Sequence, residues 1–262
     1  MSERVDFSGN ANVYDRRHGA ALSDEGLKRL WEAAGLRTGA RVLDIDAGTG
    51  RVAIPLARHG CHVVAADPAM DMLTQLRAKA SGTAVPVVVA EGARLPFPAG
   101  RFDAVVIARL LYLTPDWRAI LDETHQVLRV GGRLLHEWSN GQADEEWVQI
   151  REEARRLFEQ AGLQAPFHPG VRAEADADRE TVSLGFVREV QLDLGPGPTL
   201  TLREFLRRLA EGELSYIWNV PADVRTECLP RLQRWAAQRF DLERPIPMPR
   251  ELGWTIYRKD AA

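Results

Sequence analysis

The sequence predicts an α/β fold, a doubly wound and mostly parallel sheet carrying a helical insertion between its last two strands. Three observations predict it. Short apolar runs of strand length alternate with helical stretches of about 10 to 15 residues, the pattern of βαβ units with right-handed crossovers. The first of these runs ends in two carboxylates, Asp44 and Asp46, and breaks into a turn at Gly48 and Gly50. Beyond Ser139 the alternation gives way to helix-rich sequence interrupted by Gly195-Pro-Gly-Pro198.

Ser23 is placed to N-cap a first helix running to Ala34. A strand over 41–45 follows, then a helix over 50–59 that Pro55 should bend. A strand over 62–66 ends at Asp67, and a helix occupies 68–80. The run 85–90 is a strand ending at Glu91, and after Leu95-Pro-Phe-Pro98 the strand 102–108 ends at the Ala108-Arg109 step. Asp116 should cap a helix to 128, and Gly131-Gly132 turns into a strand over 134–138. The stretch 144–161 is an amphipathic helix, with Trp147, Ile150, Ala154, Leu157 and Phe158 at helical spacing. A strand over 186–194 comes next. Thr201 and Glu204 have capping-box spacing at the head of another helix. The stretch 221–240 is helical again, with Pro230 expected to interrupt it, and 252–258 closes as a final strand. The expected division is a ligand-binding domain over 1–194 and 251–262, with a helical insertion over 195–250 placed to cover the C-terminal strand ends.

Composition narrows the function classes. At 262 residues with 45% hydrophobic and 27% charged content, the chain can bury a sizeable core. Acids (37) and bases (34) nearly cancel, and no basic block forms a stripe that would track phosphates, which argues against a nucleic-acid partner. Residues 1–19 are polar with no apolar h-region, and no apolar run is long enough to span a bilayer; a cytoplasmic protein with no membrane partner is expected. Cys61 and Cys228 have no metal-ligand spacing, so they are expected as small buried hydrophobes and no metal is expected.

In open α/β sheets ligands bind where strands end and helices begin. A pyrophosphate brought into a turn flanked by Asp44 and Asp46 would meet like charge, which costs several kcal/mol in a partly dry site. The turn favours a cationic nucleoside. The same residues also fit the dinucleotide fingerprint G-x-G-x-x-A over Gly48 to Ala53, with Asp67 as its ribose acid, so the turn alone does not decide. The ordered series of strand ends at Asp44, Asp67, Glu91 and Ala108 is more specific.

The segments Val42-Leu-Asp-Ile-Asp-Ala-Gly-Thr-Gly50, Ala65-Ala-Asp-Pro-Ala-Met-Asp-Met-Leu73, Glu91-Gly-Ala-Arg-Leu-Pro-Phe-Pro98, Arg101-Phe-Asp-Ala-Val-Val106 and Val127-Leu-Arg-Val-Gly-Gly-Arg-Leu-Leu135 share one resemblance. Over about half its length the chain resembles the class I S-adenosylmethionine-dependent methyltransferases, in the small-molecule branch that includes the quinone-biosynthesis enzymes. The resemblance implies seven strands with the last antiparallel, and S-adenosylmethionine as cofactor. It further implies roles for individual residues. Asp44 orients the turn and the methionyl ammonium, Ala47, Gly48 and Gly50 let the backbone approach, and Asp67 accepts the ribose hydroxyls. Pro68 and Met72 flank the adenine, while Glu91, Gly92 and Ala93 read its edge. Ala108, at a strand end, is a further cofactor contact, and Tyr14 closes over the methionyl end from the N-terminal segment. Asp46 stands where the family's D-x-G-x-G-x-G pattern has its first glycine, with its carboxylate expected beside the methionyl group.

Plain structural roles stand beside these. Asp67 can simply cap the following helix, Glu91 can be a solvated acid, and Tyr14 can be packing. His18, His136 and His168 are read as structural rather than as bases, and Trp138, Tyr216 and Trp218 as packing before an aromatic pocket. Arg109, at a strand end facing the site, is suited to a substrate carboxylate or hydroxyl. The expected function is methyl transfer to O, N or C of a small molecule, in secondary metabolism, by a monomer or homodimer. The alternative, motivated by Asp46, is a protein that keeps the nucleoside pocket without methyl transfer, holding the cofactor structurally or catalysing a cyclisation or rearrangement.

Overall fold

A computed structural model describes residues 22–138, 145–163, 169–193, 199–213, 217, 220–247 and 253–261. In chain order the first elements are α1 (Asp24–Ala33), β1 (Arg41–Ile45), α2 (Ala53–Arg58), β2 (His62–Asp67), α3 (Met70–Lys79), β3 (Val87–Val89), β4 (Phe102–Ala108), α4 (Trp117–Val127) and β5 (Leu128–Trp138). They continue with α5 (Glu145–Gln160), α6 (Glu174–Ser183), β6 (Phe186–Asp193), β7 (Thr199–Thr201), α7 (Leu202–Ala210), α8 (Ala222–Ala237), β8 (Pro245–Pro247) and β9 (Gly253–Lys259). These elements fall into two compact units.

The first unit takes the described residues of 7–138, 170–194 and 252–262. Its seven strands are ordered β3-β2-β1-β4-β5-β9-β6. The β3-to-β5 pairs are parallel, and β9 runs antiparallel to both neighbours, as the resemblance implied. The centre of the sheet is buried on both faces. Val42 and Val106 pack with α1, α2 and α3 residues such as Leu30, Leu56 and Leu76, while Leu43, Ile45 and Ile107 pack with Ile120 and Leu121 of α4. Ser23 caps α1 as expected, its hydroxyl accepting from the Gly26 amide at 3.0 Å. Asp116 occupies the N-cap of α4 without making a side-chain cap.

Two differences have clear causes. β5 begins six residues before the expected strand because the chain bulges between Leu128 and Arg133 and then rejoins β4. Gly132 makes that bulge possible: a Cβ there would lie 2.8 Å from the Arg129 carbonyl oxygen. α6 was not anticipated, since its sequence buries only Ala177 and Thr181 and shows no apolar stripe.

The second unit takes the described residues of 139–169 and 195–251, so α5 groups with the expected insertion. The apolar stripe of α5 explains this: Ile150, Leu157 and Phe158 share a core with Phe205 and Leu206 of α7 and Leu232 of α8. Thr201 caps α7, accepting from the Glu204 amide at 3.1 Å. β7 and β8 pair as a short antiparallel ribbon. α8 runs through Pro230 without interruption, because Pro230 and Thr226 lie on its exposed face, where the Thr226 carbonyl can turn to solvent, while its buried face holds both halves on one core. No described helix is long and apolar enough to cross a membrane.

Candidate functional site

The turn between β1 and α2 holds three residues in left-handed backbone: Asp46 (φ 53°), Gly48 (φ 55°) and Gly50 (φ 87°). Aspartate tolerates this region better than most side chains, so the turn keeps the shape that a glycine would give it. Gly50 is small for a packing reason. A Cβ there would lie 2.7 Å from Ile54 Cδ1 and 2.8 Å from Leu76 Cγ, so its bareness lets α2 and α3 close together. The Gly48 amide donates to Asp67 Oδ2 at 2.8 Å, and the Ala69 amide donates to Asp67 Oδ1 at 2.8 Å. Asp67 therefore ties the turn to the head of α3. A carboxylate has about four lone-pair sites, so Asp67 can serve both amides and other donors at once.

Asp44, Asp67 and Glu137 end β1, β2 and β5 on one face of the sheet, continuing the rows of Val42, Ala65 and Leu135. All three are buried, Glu137 completely. Their counter-charge comes from the turn itself, where buried Arg51 hydrogen-bonds the Glu137 carboxylate. Burial pushes Asp44 up to about 8; Arg51 and the Ala53 amide oppose this, and Asp67 and Glu137 add to it. Asp44 thus keeps its proton at pH 7.

Arg109, just past β4, is the other non-glycine residue with left-handed backbone (φ 57°) among the described residues. Its amide donates to the Glu137 carbonyl at 3.3 Å, and its Nε lies 3.7 Å from Glu137 Oε2. On the opposite face, a Cβ on Gly92 would lie 2.7 Å from Ile45 Cγ2 and 3.0 Å from Asp46 Oδ2. The bare Gly92 therefore makes room for the Asp46 carboxylate. Ala47 and Gly92 are buried, Pro68, Ala93 and Ala108 are half-buried, and Glu91 is exposed. Met72 is 1% exposed, whereas Met70 at the head of α3 is 61% exposed. Tyr112 and Trp138 meet edge to face with ring centroids 5.7 Å apart, beside the ends of β4 and β5. His136 packs on Trp138 at 5.8 Å, and burial lowers its pKa to about 4 against the opposing pull of Asp178. Tyr14, His18, His168, Tyr216 and Trp218 lie outside the described residues. Both cysteines are buried free thiols.

Residues 42–132, which contain the turn and the strand ends at Asp44, Asp67 and Ala108, match the methyltransferase-domain family. A demethylmenaquinone methyltransferase of Clavibacter sepedonicus is 38% identical over 135 residues, covering 49% of this chain and 54% of that protein. The chain spans about half the length of the curated relatives it matches. Two solved structures share the fold. The YcgJ protein of Bacillus subtilis has a TM-score of 0.62 at 19% identity, covering 92% of this chain and 100% of that one. The [4+2]-cyclase SpnF has a TM-score of 0.56 at 16% identity, covering 91% and 82%.

The first unit brings Asp44, Asp46, Ala47, Gly48 and Asp67 together at the β1 and β2 ends. It turns Arg109 toward Glu137 and buries Met72. Sequence reasoning missed Arg51 and Glu137. The available signal was a third acid ending a strand, in Leu134-Leu-His-Glu-Trp138, after the same pattern at Asp44 and Asp67.

Proposed function

We propose that this protein transfers a methyl group from S-adenosylmethionine to O, N or C of a small molecule. The observation that carries the reading is the acid-lined turn. Its carboxylates, Asp46 and the Asp67 that holds the Gly48 amide, suit a cationic nucleoside with vicinal hydroxyls and would repel a pyrophosphate, while the protonated Asp44 can donate a hydrogen bond. When bound, S-adenosylmethionine supplies an electrophilic methyl on a sulfonium. Asp44, Asp46 and Ala108 would hold the methionyl end, with Tyr14 closing over it, and Asp67 would take the ribose. Pro68, Met72, Glu91, Gly92 and Ala93 would frame the adenine. The half-exposed Tyr112–Trp138 pair supports a planar, apolar acceptor. Holding the acceptor in line with the methyl can account for about 7 to 11 kcal/mol of barrier. We place the protein in the cytoplasm, as a monomer or homodimer.

The test is thermal unfolding with S-adenosylmethionine, its demethylated product S-adenosylhomocysteine, or NAD, each near millimolar. A ligand at about a hundred times its dissociation constant adds about 2.7 kcal/mol. The first two should raise the midpoint and NAD should not; a shift with NAD alone would overturn the reading. One observation favours a second reading. Asp46 puts a carboxylate where the resembled pattern has glycine, and a cyclase shares the fold, so the pocket would then serve a cyclisation without methyl transfer. Methylated product from any acceptor would exclude it.

A further inference from the structure

The turn is clamped from two sides. From β2, Asp67 holds the Gly48 amide, and from β5, Glu137 holds the Arg51 guanidinium. The first clamp also reaches the Ala69 amide, and the second reaches another arginine. Arg51 Nη2 and Arg109 Nε both address the same atom, Glu137 Oε2; Arg51 is within bonding distance and Arg109 stands off at 3.7 Å. Arg109 opens the loop after β4, which continues through Tyr112 to Leu113, where the amide donates to the Leu110 carbonyl at 2.8 Å. The carboxylate is fully buried, and both guanidiniums are nearly so. A buried charge cannot exchange a lost partner for bulk water, so whichever arginine withdraws, the other gains.

We infer that Glu137 is a positioning residue that couples the cofactor turn to the loop after β4, through one carboxylate oxygen shared by Arg51 and Arg109. Movement of the turn that draws Arg51 away lets Arg109 close on Oε2 and tightens the loop beside the Tyr112–Trp138 pair. Movement that seats Arg51 leaves the loop freer. The two ligand regions of the proposed methyl-transfer reaction are thereby linked by a two-position element rather than by mere proximity. Only the ligand arm of the test rests on that proposed reaction.

The experiment is amide hydrogen exchange on the full chain, reading the turn over 46–52, the loop over 109–114 and, as reference, β2. Arg51→Gln should speed exchange in the turn at least threefold while slowing it in the loop by a similar factor. Glu137→Gln should speed both, with β2 unchanged. A purely structural ion pair predicts otherwise: Arg51→Gln would loosen both segments or leave the loop untouched, and either result overturns the inference. Because the two segments move in opposite directions, general destabilisation cannot mimic the expected result. Should Glu137→Gln fail to fold, Arg51→Gln alone decides. In the ligand arm, saturating S-adenosylhomocysteine should change loop exchange in the wild type and not in Glu137→Gln; equal changes in both would overturn the coupling. Absence of binding to the wild type would count against the methyltransferase reading, and the unliganded comparison would still judge Glu137.

Discussion

Asp44 shows how a single buried acid sets pH behaviour. Its pKa is about 8 in the folded protein against 3.8 for the free side chain, so between these values the folded state holds a proton that the unfolded state releases. Stability from this group therefore falls as pH rises from 4 to 8, by up to about 1.4 kcal/mol per pH unit. Asp44→Asn should remove that decline. Chemical denaturation at pH 5 and pH 8 checks this, and the gain of the variant over the wild type should grow toward pH 8. The Asp46–Gly92 contact gives a second residue-scale prediction. Gly92→Ala places a methyl against Ile45 and Asp46 and should cost about 1 to 3 kcal/mol, less in an Asp46→Gly background where one of the two obstacles is gone. Asp46→Gly alone should change S-adenosylhomocysteine affinity by no more than about 1 to 2 kcal/mol by calorimetry, the worth of one partly solvated polar contact. The carboxylates Asp44 and Asp67 were legible in the sequence because each follows directly on an apolar strand. The Arg51–Glu137 pair was not, because it joins residues 86 apart, and the strand-end pattern that marks Glu137 does not say which residue it pairs with.

Among the elements, α8 is the one whose stability is most open to improvement. Pro230 is exposed in the middle of sixteen helical residues, where it removes a hydrogen bond. Pro230→Ala should stabilise the second unit by about 1 to 3 kcal/mol, read as a higher unfolding midpoint. The interruption expected at Pro230 failed because the buried stripe of Cys228, Leu229, Leu232 and Ala236 holds both halves of the helix on one core. Tertiary packing outweighs one local break. The opposite holds for α6, whose helix is real and whose sequence is too polar to reveal it. β1, β4 and α1 were readable almost to the residue because burial on both faces, or a serine cap, leaves a distinct local mark. β3, at the sheet edge, shrank to three residues, with Val89 half-exposed, because it has a partner on one side only.

For the molecule as a whole, Asp44 and His136 act on stability with opposite signs. His136 titrates near 4 when folded and 6.5 when free, so the unfolded state binds the extra proton and stability rises with pH across that window. The two slopes oppose each other below the free histidine value. Above 6.5 only the Asp44 slope remains, and these two groups together should cost about 2 kcal/mol by pH 8. His136→Phe should uncover the decline from pH 4 upward in the same denaturation series.

The position of β9 governs when this sheet can exist at all. It sits between β5 and β6, yet it follows β6 in the chain by some sixty residues. At a synthesis rate of about 5 to 20 residues per second, a ribosome needs roughly 3 to 12 s to travel from the end of β6 to the start of β9. Throughout that interval β5 and β6 each present an open row of backbone donors and acceptors to any passing strand. The helical segment made in the meantime can bury its own core before the last strand arrives. Aggregation of the nascent chain, before β9 closes the gap, is therefore a hazard this topology must survive.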